Sequence, residues 1–262
     1  MVIGKKQVAT LVAEFLGAAV LTLVFLSVHY STIGIPYFVA LAAGVATAVA
    51  AYFFGDISGS HLNPAITLAV WTARKISTVT ALTYIIVQSL GAWAAYGIYH
   101  YFVASTLSPV GGHYSARILF AEAIGAFVLA LAWGAVYLRR YDATNRALLL
   151  GASYALAIII AASAGIGIVN PAVALGVRAW AFAGSMGWGT YVLGPVLGAI
   201  IGFNLYVLIF GDSSNNVVES ETLVITETVV PIVKTSARSK KRSTKTATKS
   251  SSNKSKTSAR KR

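Results

Sequence analysis

HLNPAITLAV, residues 61–70, and IVNPAVALGV, residues 168–177, set the same Asn-Pro-Ala triplet into two apolar runs, one in each half of the chain. Proline lacks the N–H that a helix interior needs, so each triplet interrupts its run. At the first helical position, however, proline is comfortable, and an asparagine just before it accepts from a free backbone N–H with its side-chain oxygen. Each triplet therefore reads as a helix start. The helices it starts are short, over 63–73 and 170–180, and ten helical residues cover about 15 Å, half the hydrocarbon thickness of a bilayer. Half-membrane helices are tolerated only where their ends are buried in protein or line a water-filled cavity.

A bilayer is what the composition asks for. Of 262 residues, 56% are hydrophobic and 11% charged, and the mean hydropathy is +0.71, too apolar for a soluble domain of this length. Six segments are long enough to cross, near 8–28, 36–54, 80–102, 117–138, 147–164 and 188–210. Lys5 and Lys6 precede the first of them, which is too long for a typical cleaved signal and reads as a retained span. There is no cysteine, hence no disulfide framework and no thiolate metal site or nucleophile.

Further matches make the chain an inverted repeat. AEFLGA (13–18) corresponds to AEAIGA (121–126), and SLGA (89–92) to VLGA (196–199), at an offset that agrees with that of the two triplets to within one position. Each half holds three spans and one half-helix; because three is odd, the second half begins on the opposite face of the membrane. The half-helices then enter from opposite sides and meet near the midplane. The expected organisation is a first repeat over 1–107, a second over 108–212, and a tail over 213–262. The fold class is all-α integral membrane, with six transmembrane helices and two half-membrane re-entrant helices.

The net charge of +13 belongs to the tail. Twelve of the 21 basic residues lie between Lys234 and Arg262, while the chain before Lys234 carries nine basic and eight acidic groups. Such a tail cannot bury enough apolar surface to fold, and disorder is its expected state. It suits anionic lipid at a membrane surface better than nucleic acid, which is not expected as a partner. Lys5, Lys6, Arg74, Lys75, the RRYDATNR loop (139–146) and the tail all fall on one side of the six-span arrangement, with only Arg117 and Arg178 on the other. That asymmetry places both termini in the cytoplasm, in the plasma membrane or an internal membrane such as the vacuolar one.

At the midplane the triplets offer asparagine amides and the positive ends of two helix dipoles. Asn63 and Asn170, each followed by a proline (Pro64, Pro171) and a small alanine (Ala65, Ala172), would donate to passing water while cations and protons meet a positive barrier. The amide NH2 of each is expected to face the cavity, its oxygen being used by the cap. Glu14 and Glu122 are the acids inside spans and occupy equivalent places in the two repeats; intramembrane carboxylates call for a role, either loop support or proton relay. His61, beside the first triplet, is a structural or pore-lining hydrogen-bonder, and His29, His100 and His113 fall near loop ends. No histidine or acid stands at metal-ligand spacing from His61, so neither a metal nor another cofactor is expected.

The paired Asn-Pro-Ala boxes in an inverted repeat of three spans resemble the aquaporin, or major intrinsic protein, family, over about residues 8 to 210. The resemblance implies a homotetramer with one pore per protomer, conducting water and small neutral solutes such as glycerol, urea, ammonia, hydrogen peroxide or boric acid. It also implies that Glu14, Glu122 and His61 support the re-entrant loops. The family's selectivity filter maps by counting onto Ala43, Ile158, Gly167 and Val173. Most members carry an arginine at the last of these. The Val173-Ala174 pair resembles a variant found in some plant vacuolar members, whereas Ala43, Ile158 and Gly167 resemble members that pass glycerol, urea or boric acid; the acid that follows the arginine in glycerol facilitators is absent, Ala174 standing there. A wide, arginine-free filter is expected. Two alternatives stand beside the channel: a secondary transporter, which also uses inverted repeats and broken helices but needs coupling groups at the midplane, and a mainly structural membrane protein that conducts little. An enzyme is disfavoured, since no nucleophile, base and orienter stand together.

Deleting residues 233–262 is expected to leave permeability per channel unchanged while weakening binding to vesicles containing anionic lipid. Swelling assays and vesicle co-sedimentation on the truncated chain check this, and a large fall in unit permeability would contradict it.

Overall fold

The computed structural model describes residues 4–108, 110, 114–179 and 187–211. His113 and the basic tail lie outside the described residues. All regular structure among those residues is helical: α1 Lys5–His29, α2 Pro36–Ser58, α3 Pro64–Thr72, α4 Thr78–Val103, α5 Ala116–Leu138, α6 Ala143–Ala161, α7 Pro171–Gly176, and α8 Gly194–Phe210, preceded by a π-helical turn, Gly189–Leu193. Among the described residues six helices are long and apolar enough to cross a membrane, the last being Gly189–Phe210 taken as one, and α3 and α7 are short.

Local chemistry sets the boundaries. Pro36 opens α2, and Gly59, in the left-handed region at φ 85°, closes it. Ser77 caps α4 by accepting from the Thr80 N–H. Asp142 starts α6 four residues before the apolar run suggests, because its carboxylate accepts from the Thr144 and Asn145 N–H groups at 3.0 Å. The Asn145 N–H holds that carboxyl below the usual carboxylate range. Pro195 has no N–H to continue an α-helical ladder, and the turn before it is π-helical. The second half-helix is shorter than the expected 170–180: α7 ends at Gly176, whose backbone is pressed against the Ala92 carbonyl of α4. The chain then turns back, Arg178 taking φ 58° and the Ala179 N–H donating to the Ala174 carbonyl. The first half-helix closes the same way, with Arg74 at φ 58° and the Lys75 N–H on Val70.

Packing follows the repeat. α1 lies on α4 as α5 lies on α8, while α2 lies on α6, its own counterpart. Small residues permit these approaches, as in membrane helices generally: Gly91 meets the Phe15 carbonyl, and Gly198 meets that of Ala123. At the α2–α6 crossing, Gly44 and Gly151 face each other, and a Cβ on either would sit 2.7 or 2.5 Å from the other's carbonyl oxygen. The two glycines are counterparts in the repeat, at the same offset as the triplets, so this contact marks the approximate twofold that relates the halves. Large apolar side chains such as Leu208, Tyr101 and Phe120 point outward, where a bilayer covers them.

Gly44→Val should destabilise the protein by about 1–3 kcal/mol, the usual cost of overpacking. Thermal unfolding in detergent reads this as a lowered Tm; a wild-type Tm would refute the close crossing.

Candidate functional site

The site is built on two strained peptides. Leu62 and Val169, immediately before the two asparagines, take φ 53° and 50°, a left-handed conformation that a branched side chain adopts only at a cost of about 1–3 kcal/mol. Each is held at both ends. The Leu62 N–H donates to Glu14 Oε2 at 2.7 Å and its carbonyl accepts from Asn170 Nδ2 at 2.9 Å. In the other half the Val169 N–H donates to Glu122 Oε2 at 2.6 Å and its carbonyl accepts from Asn63 Nδ2 at 3.0 Å. The side chains of the strained residues drop into space left by Gly17 and Gly125, each three residues after its glutamate.

Asn63 and Asn170 cap α3 and α7. Their Oδ1 atoms accept from the Ala65 N–H at 2.8 Å and the Ala172 N–H at 2.9 Å, the latter shared with Val173 at 3.4 Å. Pro64 and Pro171 occupy the first helical positions, and Ala65 and Ala172 are fully buried beside them. The amides do not simply face a cavity. One N–H of each reaches across to the carbonyl before the opposite asparagine, because that carbonyl is turned inward by the left-handed residue; an amide has two such hydrogens, and this bond uses one of them.

The carboxylates have unequal company. Glu14 also accepts from the Ser58 hydroxyl at 2.6 Å, the His61 N–H at 2.9 Å and Gln88 Nε2 at 2.7 Å. Gln88 further donates to Thr67, whose hydroxyl lies 3.2 Å from His61 Nδ1, and His61 Nε2 lies 2.7 Å from the Tyr137 hydroxyl. Glu122 has the backbone N–H groups of Ile168, at 2.8 Å, and Val169. Both carboxylates are wholly buried. His61 is thus the centre of a chain linking the first loop to α4 and α5, and among the described residues no group of three His, Cys, Asp or Glu gathers around it or elsewhere.

Ala43, Ile158 and Val173 fall in one buried apolar cluster. Gly167, at φ 73°, lies against Ile158, where a Cβ would stand 2.5 Å from the Ile158 carbonyl oxygen. Arg178 does not replace the missing arginine beside Val173: its guanidinium lies over the Tyr96 ring of α4, 5.8 Å from the centroid, and donates to the Tyr96 hydroxyl at 3.2 Å. Gln88 and Tyr137 are absent from the sequence-based site. Gln88, a lone amide in an apolar span, carries a signal for it; Tyr137 carries none, since its partner is 76 residues away.

Residues 3–206 match the family described as Major intrinsic protein. The chain is 33% identical over 202 residues to a glycerol uptake facilitator protein-like 6 of Lactiplantibacillus plantarum, covering 72% of this chain and 92% of that one. It is 30% identical over 178 residues to aquaporin AqpM of Methanothermobacter thermautotrophicus, covering 62% and 72%. Its fold is similar to that of an aquaglyceroporin from Plasmodium falciparum, with a TM-score of 0.68 at 20% identity over 79% of this chain and 98% of that one.

Glu122→Gln presents an N–H2 to one of the two backbone donors and should cost about 1–3 kcal/mol. A clear fall in Tm, with swelling lost in parallel, is the expected result; a wild-type Tm would show that the carboxylate does not hold the loop.

Proposed function

The chain belongs to the major intrinsic protein family, a family of membrane channels rather than enzymes, and on that premise we propose that it conducts water and small uncharged solutes, glycerol among them, between two half-helices. The observation that carries this reading is the reciprocal bond of Asn63 and Asn170 to the backbone of the opposite half. It uses one amide N–H of each asparagine and brings the N-termini of α3 and α7 together at one point. Two positive helix ends there disfavour cations and protons, while a neutral molecule that accepts a hydrogen bond is favoured.

The solute class rests on the filter. Ala43, Ile158, Gly167 and Val173 present no polar side-chain atom, so this ring sorts by width and not by charge. An arginine-free ring admits glycerol, urea, ammonia, hydrogen peroxide or boric acid as well as water. Both termini are cytoplasmic in this proposal, the chain assembles as a homotetramer with a pore in each protomer, and the basic tail lies on anionic lipid. Glu14, Glu122 and His61 act as loop supports, their bonding being spent on backbone and neighbouring side chains.

One observation favours a second reading, a poorly conducting membrane protein. Ala43 and Ile158 have 0% exposure and Val173 1%, so none of the three presents surface to a water-sized sphere in this conformation. Conduction past them then requires side chains to move aside.

Stopped-flow swelling of proteoliposomes under gradients of an impermeant osmolyte, glycerol and urea separates the two. Rates above those of empty liposomes support the channel, and rates equal to them support the poorly conducting reading. In a conducting protein, Val173→Arg should suppress glycerol and urea flux more than water flux; equal suppression of all three would count against the filter.

A further inference from the structure

Thr47 and Tyr154 hold the same place in the two repeats, sixteen residues before Asn63 and Asn170. They are buried to 1% and 2% exposure, and each keeps a side-chain oxygen that is inaccessible and without a hydrogen-bond partner of normal geometry. Buried hydroxyls are nearly always satisfied; among the described residues the Thr47 hydroxyl has no partner, and the Tyr154 phenol has the Asn170 side chain as its neighbour.

Their placement follows from the α2–α6 crossing. The contact between Gly44 and Gly151 marks the approximate twofold, and Thr47 and Tyr154 each stand three residues beyond it in helices that run in opposite directions. One hydroxyl therefore falls on each side of the level at which the boxes meet. Tyr154 is on the side of Ile158, one turn inward from it, and Thr47 is on the side of Ser58 and the His61 loop. The outer side carries the larger side chain.

We propose that Tyr154, with Thr47 as its counterpart, forms a second specificity-determining level of the pore, inward of the filter ring and favouring water and short polyols; this rests on the channel reading above. Ala43, Ile158, Gly167 and Val173 offer a solute no side-chain hydrogen bond. The Tyr154 hydroxyl, a turn further in, supplies it. A hydroxyl both donates and accepts, which matches the hydroxyl of a polyol or a water molecule, and the phenol ring is the larger of the two counterpart side chains.

The test uses the full-length chain in proteoliposomes, with the inserted amount quantified, and compares wild type with Tyr154→Phe, Thr47→Val and Tyr154→Ala for water, glycerol and xylitol. Tyr154→Phe keeps the ring and should lower unit glycerol and water permeability about tenfold, the effect of one lost hydrogen bond. Thr47→Val should act in the same direction, and Tyr154→Ala should admit xylitol that the wild type excludes. Wild-type rates in Tyr154→Phe overturn the proposal, and if that variant fails to insert, wild-type rates in Thr47→Val do so. A silent wild type with a conducting Tyr154→Ala supports the role of Tyr154 while overturning native conduction. Silence in every sample overturns both.

Discussion

Two residues carry the architecture, Leu62 and Val169, each bonded through its N–H to a buried carboxylate and through its carbonyl to the asparagine of the other half. Neither bond suffices alone. Without the carboxylate, a branched residue would relax from the left-handed region and turn its carbonyl away; without the opposing amide, that carbonyl would be an unpaired acceptor in a wholly buried place. The two bonds together make a re-entrant loop that a bilayer can accept, because its backbone polar groups find partners inside the protein.

Much of the remaining packing serves those residues. Gly17 and Gly125 receive the side chains of Leu62 and Val169. α1 and α5 must therefore stand close behind the loops, and the contacts of Gly91 and Gly198 with the carbonyls of Phe15 and Ala123 bring α4 and α8 against them. The Gly44–Gly151 crossing closes the structure on its approximate twofold.

The twofold is imperfect where chemistry differs. Gln88 of the first half corresponds to Pro195 of the second, and His61 to Ile168. The first loop is consequently tied by side chains to α4 and α5, through Gln88, Thr67, His61 and Tyr137, whereas the second is held by Glu122 through backbone donors. Two loops of equal backbone geometry thus rest on unequal supports, and the side with more polar side chains is the one that follows α2.

Spans, half-helices and the inverted repeat were legible because each is a local pattern: apolar length, an Asn-Pro start, or a match at constant offset. The boundaries that moved did so for local reasons too, such as the Asp142 cap that begins α6 early and the pressed backbone at Gly176 that ends α7. Glu14 and Glu122 were legible as paired acids in apolar spans, though not which N–H groups they accept. The linear chain said nothing of the exchange between Asn63 and Val169 or Asn170 and Leu62, since those partners are 106 and 108 residues apart, nor of Tyr137 meeting His61. Patterns along one helix determine what each segment becomes. Where an amide hydrogen goes is decided by whichever acceptor the folded chain brings within hydrogen-bonding reach, and only tertiary packing selects that.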